Sequence, residues 1–567
     1  MQDNQQSQAL ATTPWYQQEW DDIIVGAGSS GAVLAARLSE QSSRRVLLLE
    51  AGPDFVSFDA IPEVIKDASS PVMAGYNWDF QAYLRSSGLF QNLLQSTSIL
   101  TASPKAMLSA AKAVLRSDQS IASALQKFPY FLGKVVGGSS AVNGAVALRA
   151  MPEDFASWVE AGNSQWGWEQ VLPYFIKLEN DKDFSNQVHG ASGLIPIARP
   201  QLASLHPMQA AFRDACLDLG MQAIDDMNDV PQEGVGMVPS NSVNHLRIST
   251  AIAYLQPIRE RKNLHIQGDI KVLRVLFEGT RAIGLEWQCK NGYRNQVLGK
   301  HVTLCAGAIN TPSILLRSGV GSATLCSSIG VTPIVDLPGV GENLSDHPAV
   351  MFWMTPKPAN TQESQLEHQV MVRTASKAGQ SPDVNLFILN NLQTNTIPML
   401  GDLLKSPLAN AISIVLTNPK SRGRVFLENA APKSNPVIEL NLGSEAEDIQ
   451  GLMHGVRLAW KIAKAQAIAN KTASIFMWNE SIIKNDVLLH STIKRFINAT
   501  WHPTGTTKMG QASDGMAVVD QQCRVHGCSQ LRIVDAGVMP LIPKTPTNLT
   551  CIMLAERVAD WMLQEIR

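Results

Sequence analysis

Gly26, Gly28 and Gly31, with Glu50 standing 19 residues beyond the last of them, have the types and spacing that hold a dinucleotide. The motif reads Asp22-Ile-Ile-Val-Gly26-Ala-Gly28-Ser29-Ser30-Gly31, and each glycine has its own task. Gly26 makes a tight turn, Gly28 lets the main chain approach a pyrophosphate, and Gly31 lets a helix pack close to a sheet. Ser29 and Ser30 fall at the helix N-terminus, where free N–H groups and the helix dipole favour phosphate oxygens. Glu50, followed by Ala51 in the same loop, is placed to accept hydrogen bonds from an adenosine ribose, and its charge disfavours a 2′-phosphate. A glycine triplet alone is a weak signal. Here an apolar run (Ile23 to Val25), a helical stretch (Ala32 to Glu40) and a second apolar run (Val46 to Leu49) frame it as a βαβ unit.

Two further segments carry glycine and serine as a ligand-facing loop would. Gly133-Lys-Val-Val136-Gly137-Gly138-Ser139-Ser140-Ala-Val142-Asn143-Gly144 exposes backbone N–H groups and lets the main chain press on a flat or anionic ligand. Gly307 to Gly321 follows the apolar run His301 to Cys305. Taken singly, either segment reads equally well as a tight structural turn. Near the C-terminus, Trp501-His502-Pro-Thr-Gly505-Thr-Thr-Lys-Met-Gly510 leads to Leu531-Arg-Ile-Val-Asp535-Ala536. Pro546-Thr-Asn548-Leu-Thr550 then reads as a helix entered through a polar turn.

The elements that must position these residues are legible in the hydrophobic pattern. Helical periodicity runs over Trp168 to Glu179, Met208 to Leu219 and Glu445 to Lys464. Strand-like runs occur at His265–Ile266, Val272–Phe277, Ala282–Gln288 and His301–Cys305. From Ala349 to about Glu439 apolar and polar residues alternate, as in Val384 to Leu389 and Gly423 to Glu428, which predicts an antiparallel sheet. The fold class is therefore α/β (α+β overall), with a discontinuous cofactor domain at 18–160, 241–346 and 498–567. A second domain at 161–240 and 347–497 rests on the antiparallel sheet. Leu84 to Leu132 reads as an insertion of helices, with Pro104 starting one of them. Its plain reading is a helix pair packed on the body; sharper ones are a lid or an apolar patch that meets a membrane or partner.

Bulk properties bound the function. The 567 residues, 45% hydrophobic and 17% charged, suit an ordinary globular protein of about two domains. A net charge of −2 without basic runs argues against nucleic acid as a partner. Met1 to Trp20 is Gln-rich, contains no Lys or Arg, and lacks the pattern of a secretory signal, so cytoplasm is the expected compartment. No apolar run reaches the ~20 residues of a membrane span. Seven scattered cysteines give neither a zinc motif nor a disulfide framework, and no metal site is expected.

Taken with Leu337-Pro-Gly-Val-Gly341-Glu-Asn343-Leu-Ser-Asp346-His347-Pro348, these segments resemble the glucose–methanol–choline (GMC) family of flavoprotein oxidoreductases, from Asp21 to Asp560. Gly133–Asn143 is similar to the first family signature and Gly307–Gly321 to the second. The resemblance implies FAD as the dinucleotide, in a Rossmann-like domain of GMC type. It places Val272 beside the adenine, Val136 to Ser139, Asn143 and Gly144 against the flavin, and Asp535 and Ala536 at the pyrophosphate and ribityl–pyrimidine side. Asn548 and Thr550 contribute from the last helix. Some relatives attach FAD through a histidine just before that Asn; here the position is Val142, so non-covalent FAD is expected. The family's catalytic pair maps onto His502 and Asn548. The histidine would take the proton of a substrate hydroxyl while hydride passes to flavin N5, and Asn548 would orient the same oxygen. Trp501 would pack beside the flavin. His347 and Asp346 would be architectural, and Arg524 and Arg532 structural ion-pair or capping groups, while His189 looks like a loop residue. Met351, Phe352, Trp353, Met354, Phe387 and Leu389 would supply the substrate wall, half of them serving as ordinary core.

The pattern is closest to aryl-alcohol and hydroxymethylfurfural-type oxidases and bacterial alcohol dehydrogenases. It implies oxidation of a primary aromatic or alkyl alcohol, with O2, a quinone or a protein as the final acceptor. Alternatives are a non-redox hydroxynitrile lyase relative or oxidative tailoring of a larger metabolite. A photodecarboxylase is disfavoured, because no cysteine lies between Ser327 and Gln522 and the expected arginine position is Phe387.

Overall fold

Two sheets organise the computed structural model, which describes residues 14–84, 127–229, 231–357, 368–394 and 404–565. The first contains β1 (Trp20–Val25), β2 (Val46–Leu49), β3 (Leu264–Gln267), β4 (Ile270–Glu278), β5 (Arg281–Cys289) and β6 (Arg294–Leu304), in the order β3-β2-β1-β6-β5-β4. Its centre is parallel, since β2 and β6 flank β1 and the strand Leu531–Ile533 joins β6 from the far end of the chain. Ile23, Ile24 and Leu47 to Leu49 are enclosed on both faces, which is why these strands read as unbroken apolar runs. The last three strands turn antiparallel and account for the strand-like runs after residue 270.

The helix Gly31–Leu38 is apolar almost all round because it lies between this sheet and the C-terminal helix Asn548–Gln564. Glycine is required at its entrance: a Cβ on Gly31 would come within 1.9 Å of the Gly26 carbonyl oxygen. The two helices are also tied by charge. Arg37 donates to both oxygens of Glu556 at 2.8 Å, and the Tyr254 hydroxyl donates to Glu556 Oε1 at 2.9 Å.

The second sheet has eight strands, seven of them on its main path, and includes β7 (Pro348–Pro356), β8 (Val370–Thr374), β9 (Val384–Gln393) and β10 (Leu408–Leu416), all paired antiparallel. The strand Gly234–Met237 extends it at β8. Alternation gives each face a different duty. Val350, Phe352, Met354, Leu386, Ile388, Ile412 and Ile414 pack into one core with the helices Pro207–Asp218 and Ala446–Lys464. Ala349, Met351, Trp353, Phe387, Leu389, Ala411 and Val415 form the opposite face. Phe352 and Met354, read from sequence as possible wall residues, are therefore core, because they fall on the wrong side of the pleat.

Two sequence expectations need correction. The run Gly423–Glu428 does not join the large sheet. Its strand Arg424–Phe426 pairs with Val437–Glu439 in a separate four-stranded sheet with Phe80–Tyr83 and Lys127–Tyr130. The same sheet claims the end of the supposed helical insertion, since Lys127–Tyr130 is a strand. Residues 85–126 lie outside the described residues, and with them the helix-pair, lid and membrane-patch readings of 84–132. Among the described residues no helix is long and apolar enough to cross a membrane.

Candidate active site

A single continuous cavity of about 1730 Å³ runs from the glycine turn after β1 to the apolar face of the second sheet. Gly26, Gly28, Ser29, Ser30, Glu50, Ala51, Gly138, Ser139, Asn143, Gly144, Val272, Asp535, Ala536 and Asn548 line it, as do Trp501, His502, Phe387 and Trp353. Val142 lines it too. Gly31, Val136, Gly137 and Thr550 stand behind the wall. The Gly137 N–H donates to Ala27 at 2.8 Å, and that of Val136 to Pro53 at 3.0 Å, so these two brace the loop from outside. Thr550 is fully enclosed in the last helix.

The dinucleotide end is a cradle where Gly26 and Gly138 leave no room for a Cβ. Gly28 and Gly138 meet back to back, and a Cβ on Gly138 would come within 2.6 Å of the Gly28 Cα. Glycine signals more than 100 residues apart thus build one surface, to which a flat or anionic group can come close. Glu50 accepts from the Ala27 N–H and the Gly52 N–H, both at 2.9 Å, and each oxygen keeps a second acceptor site. Burial pushes its carboxyl up to about 7, against backbone hydrogen bonds that favour the charge. Asp535 lines the cavity and also braces the fold around it. Its carboxylate accepts from the Gly307 N–H (2.9 Å), the Thr311 hydroxyl (2.6 Å) and the Gly537 N–H (2.8 Å), clamping the N-terminus of the helix Gly307–Arg317. Asn548 opens the last helix, and its Oδ1 accepts from the Ser29 hydroxyl at 2.7 Å, tying that helix to the glycine turn.

At the junction of the two sheets the hydrogen bonds fix a tautomer. His347 Nε2 lies 2.9 Å from the Pro543 carbonyl, which can only accept, so Nε2 carries the proton. Burial holds the His347 imidazole well below its ordinary value, and neighbouring His502 adds to this, so the ring is neutral and Nδ1 presents a lone pair. His502 Nδ1 sits 3.1 Å from that lone pair and 3.0 Å from Thr500 Oγ1, and must be the donor. His502 Nε2 is then the unprotonated nitrogen, without a protein partner among the described residues, on a ring that lines the cavity. Burial pushes its pKa down to about 4. The backbone aims the ring: the His502 N–H donates to Asp346 Oδ1 at 2.9 Å, and Trp501 adopts a left-handed φ of 60°. A bulky residue held in that region is strained, a condition that concentrates at functional sites.

Sequence reasoning rated His347 and Asp346 as architecture, yet they determine the protonation and direction of His502. Only the spatial pairing of 347 with 502 reveals this. His189, read as a loop residue, does sit in a loop but is buried among Glu179, Asp181 and Asp226, with Arg199 beside them. Burial alone would lower its pKa, but the hydrogen bonds to Asp181, Asp226 and Glu179 raise it to about 10, so the cluster is a set of ion pairs around an imidazolium. His368 also lines the cavity, edge-on to Phe387 at 5.9 Å, and burial pushes it down to about 4.

This geometry defines a class: a dinucleotide-binding parallel sheet and an antiparallel-sheet domain, sharing one cavity with an uncharged imidazole at the seam. The GMC oxidoreductase family models match residues 20–349 and 419–555. The chain is 31% identical to an oxygen-dependent choline dehydrogenase of Vibrio vulnificus, covering 97% of this chain and 95% of that one. It is 30% identical to a 5-(hydroxymethyl)furfural oxidase of Methylovorus sp., covering 96% and 99%. Among solved structures, pyridoxine 4-oxidase from Mesorbium loti superposes with a TM-score of 0.81 at 25% identity, over 96% of this chain and 99% of that one. The chain belongs to the GMC oxidoreductase family, whose members bind FAD.

Proposed function

We propose that this enzyme oxidises a neutral, largely apolar primary alcohol, aromatic rather than sugar-like, to its carbonyl, using non-covalently held FAD. The observation that carries the reading is the unprotonated His502 Nε2, fixed by the His347 and Thr500 contacts on Nδ1. The cradle supports FAD: glycines that tolerate no Cβ, a ribose-facing carboxylate at Glu50, and the last helix tied to the turn through Asn548. Val142 has no nucleophilic atom at the position where some relatives bond the cofactor.

When bound, the flavin supplies the two-electron acceptor. His502 Nε2 takes the hydroxyl proton of the substrate as the carbinol carbon gives up hydride. Asn548, with Oδ1 engaged by Ser29, keeps Nδ2 to donate toward the same oxygen and stabilise its developing charge. The imidazolium that forms is held at Nδ1–H by His347 and Thr500. The only carboxylates that line the cavity, among the described residues, are Glu50 and Asp535, both at the dinucleotide end. Among the described residues nothing anionic lines the substrate end of the cavity, which favours a neutral alcohol over a cationic one such as choline.

The test is anaerobic mixing of the holoenzyme with benzylic alcohols, followed by the visible absorbance of the flavin. Bleaching is expected, and His502→Ala should slow it by two orders of magnitude or more, the share of a general base. Cyanide release from a cyanohydrin without bleaching would instead select lyase chemistry. Peroxide formed on admitting air separates an oxidase from a dehydrogenase.

A further inference from the structure

Three rows of the sheet face that walls the cavity are apolar except at one place. Strand pairing across β7, β10 and β9 sets these rows: Ala349–Val415–Asn385, Met351–Ser413–Phe387 and Trp353–Ala411–Leu389. The two polar side chains in this grid, Ser413 and Asn385, are diagonal neighbours on adjacent strands, within reach of one ligand. Both line the cavity, and both are more than nine-tenths buried, with 6% of Ser413 and 4% of Asn385 exposed.

Among the described residues neither is fully satisfied. Ser413 Oγ makes no hydrogen bond among the described residues. Asn385, which lines the cavity, donates through Nδ2 to the Lys544 carbonyl at 3.5 Å, and its Oδ1 accepts no hydrogen bond among the described residues. Buried polar groups normally have partners, and a pair left open on a ligand-facing wall points to one supplied from outside. Together they offer an acceptor, Oδ1, beside a hydroxyl that can donate or accept. A hydroxyl group is the ligand that uses both.

We propose that Ser413 and Asn385 form a notch that recognises a second hydroxyl on the substrate, so that the substrate class is an aromatic alcohol bearing another hydroxyl across the ring. This rests on the reading of His502 as the group facing the carbinol. Met351, in the row of Ser413, lies four residues beyond His347, which immediately precedes β7, a span of roughly 13 Å in extended chain. That span accommodates a ring with a hydrogen-bonded oxygen at each end, and Phe387 and Met351 flank the notch to contact the ring.

The experiment compares 4-(hydroxymethyl)benzyl alcohol with 4-methylbenzyl alcohol, which keeps the shape and loses the second hydroxyl. In the wild-type holoenzyme kcat/KM should favour the diol by about tenfold or more, because a site built to bond a hydroxyl rejects an analogue that leaves it unpaired. In Ser413→Ala and Asn385→Leu the ratio should collapse to about threefold or less. A wild-type ratio near one, or an unchanged ratio in both variants, overturns the notch. The flavin spectrum checks each variant; if Asn385→Leu loses its cofactor, Ser413→Ala, which removes one oxygen, decides alone. The matching aldehydes, titrated against the flavin spectrum, report binding without turnover. Tighter binding of the hydroxymethyl aldehyde with no alcohol oxidised keeps the notch and removes the oxidation reading; oxidation without discrimination does the reverse.

Discussion

His502 carries its chemistry because of groups that never touch the substrate. Burial holds its pKa near 4, so the proton-accepting form dominates through neutral pH. A base must be unprotonated to act, and the acid limb of flavin reduction is therefore expected near pH 4, well below the ordinary histidine value of 6.5. A pH series of anaerobic reduction rates checks this. His347 is a positioning residue, and His347→Leu removes the lone pair that accepts the Nδ1–H of His502. The imidazolium then loses a charge-assisted bond of about 1.5–3 kcal/mol, which predicts a slowing of about ten- to a hundredfold. His347→Gln, whose carbonyl oxygen can still accept, should recover part of the rate. Equal losses in both variants would mean that the ring matters only for packing.

Among the elements, the contact between the helices Gly31–Leu38 and Asn548–Gln564 sets the site, because one presents the glycine turn and the other begins at Asn548. Glu556 joins them, with its side chain fully buried and its carboxyl held below the ordinary range; burial opposes this, but Arg37 and Lys177 outweigh it. Removing Glu556 leaves Arg37 and Lys177 only their more exposed partners Glu40 and Asp560. Glu556→Ala should therefore destabilise the holoenzyme by about 3 kcal/mol or more in denaturant titrations. The double variant with Arg37→Ala should lose less than the two singles summed. The separate small sheet makes the same point about long-range contacts. Lys127–Tyr130 lies in a stretch whose spacing reads as helical, yet it pairs with Phe80–Tyr83 and becomes a strand.

Over the whole molecule, buried histidines make stability depend on pH in two opposite ways. His502 and His368 are held near 4, against 6.5 in an unfolded chain. Between those values the unfolded state binds more protons, so stability falls as pH drops below 6.5 toward 4. His189 is raised to about 10 by its carboxylates. Its contribution is complete below 6.5 and disappears as pH rises through 10. Melting temperatures measured across this range should peak near pH 6.5 and fall on either side of it. His189→Gln should cost most at and below pH 6.5, and the gap to wild type should narrow steadily as pH rises from there toward 10. A gap of constant size would show that the ring is not charged in the folded protein.

The dinucleotide unit was readable from sequence because its determinants are local: a turn that needs glycines, a helix entrance without side chains, and an acid one strand away. The family signatures extended that reading to His502 and Asn548, again as short motifs. The alternation in 349–439 announced an antiparallel sheet, but it could not say which face met the cavity. Only the folded chain set Phe352 apart from Met351 and Trp353. The tautomer of His502 depends on His347 and Thr500, brought beside it by strand pairing and a strained turn at Trp501. The open pair of Ser413 and Asn385 arises from register between two strands. Local backbone demands leave their mark on neighbouring residues, whereas protonation, burial and polar satisfaction are properties of which distant groups finally touch.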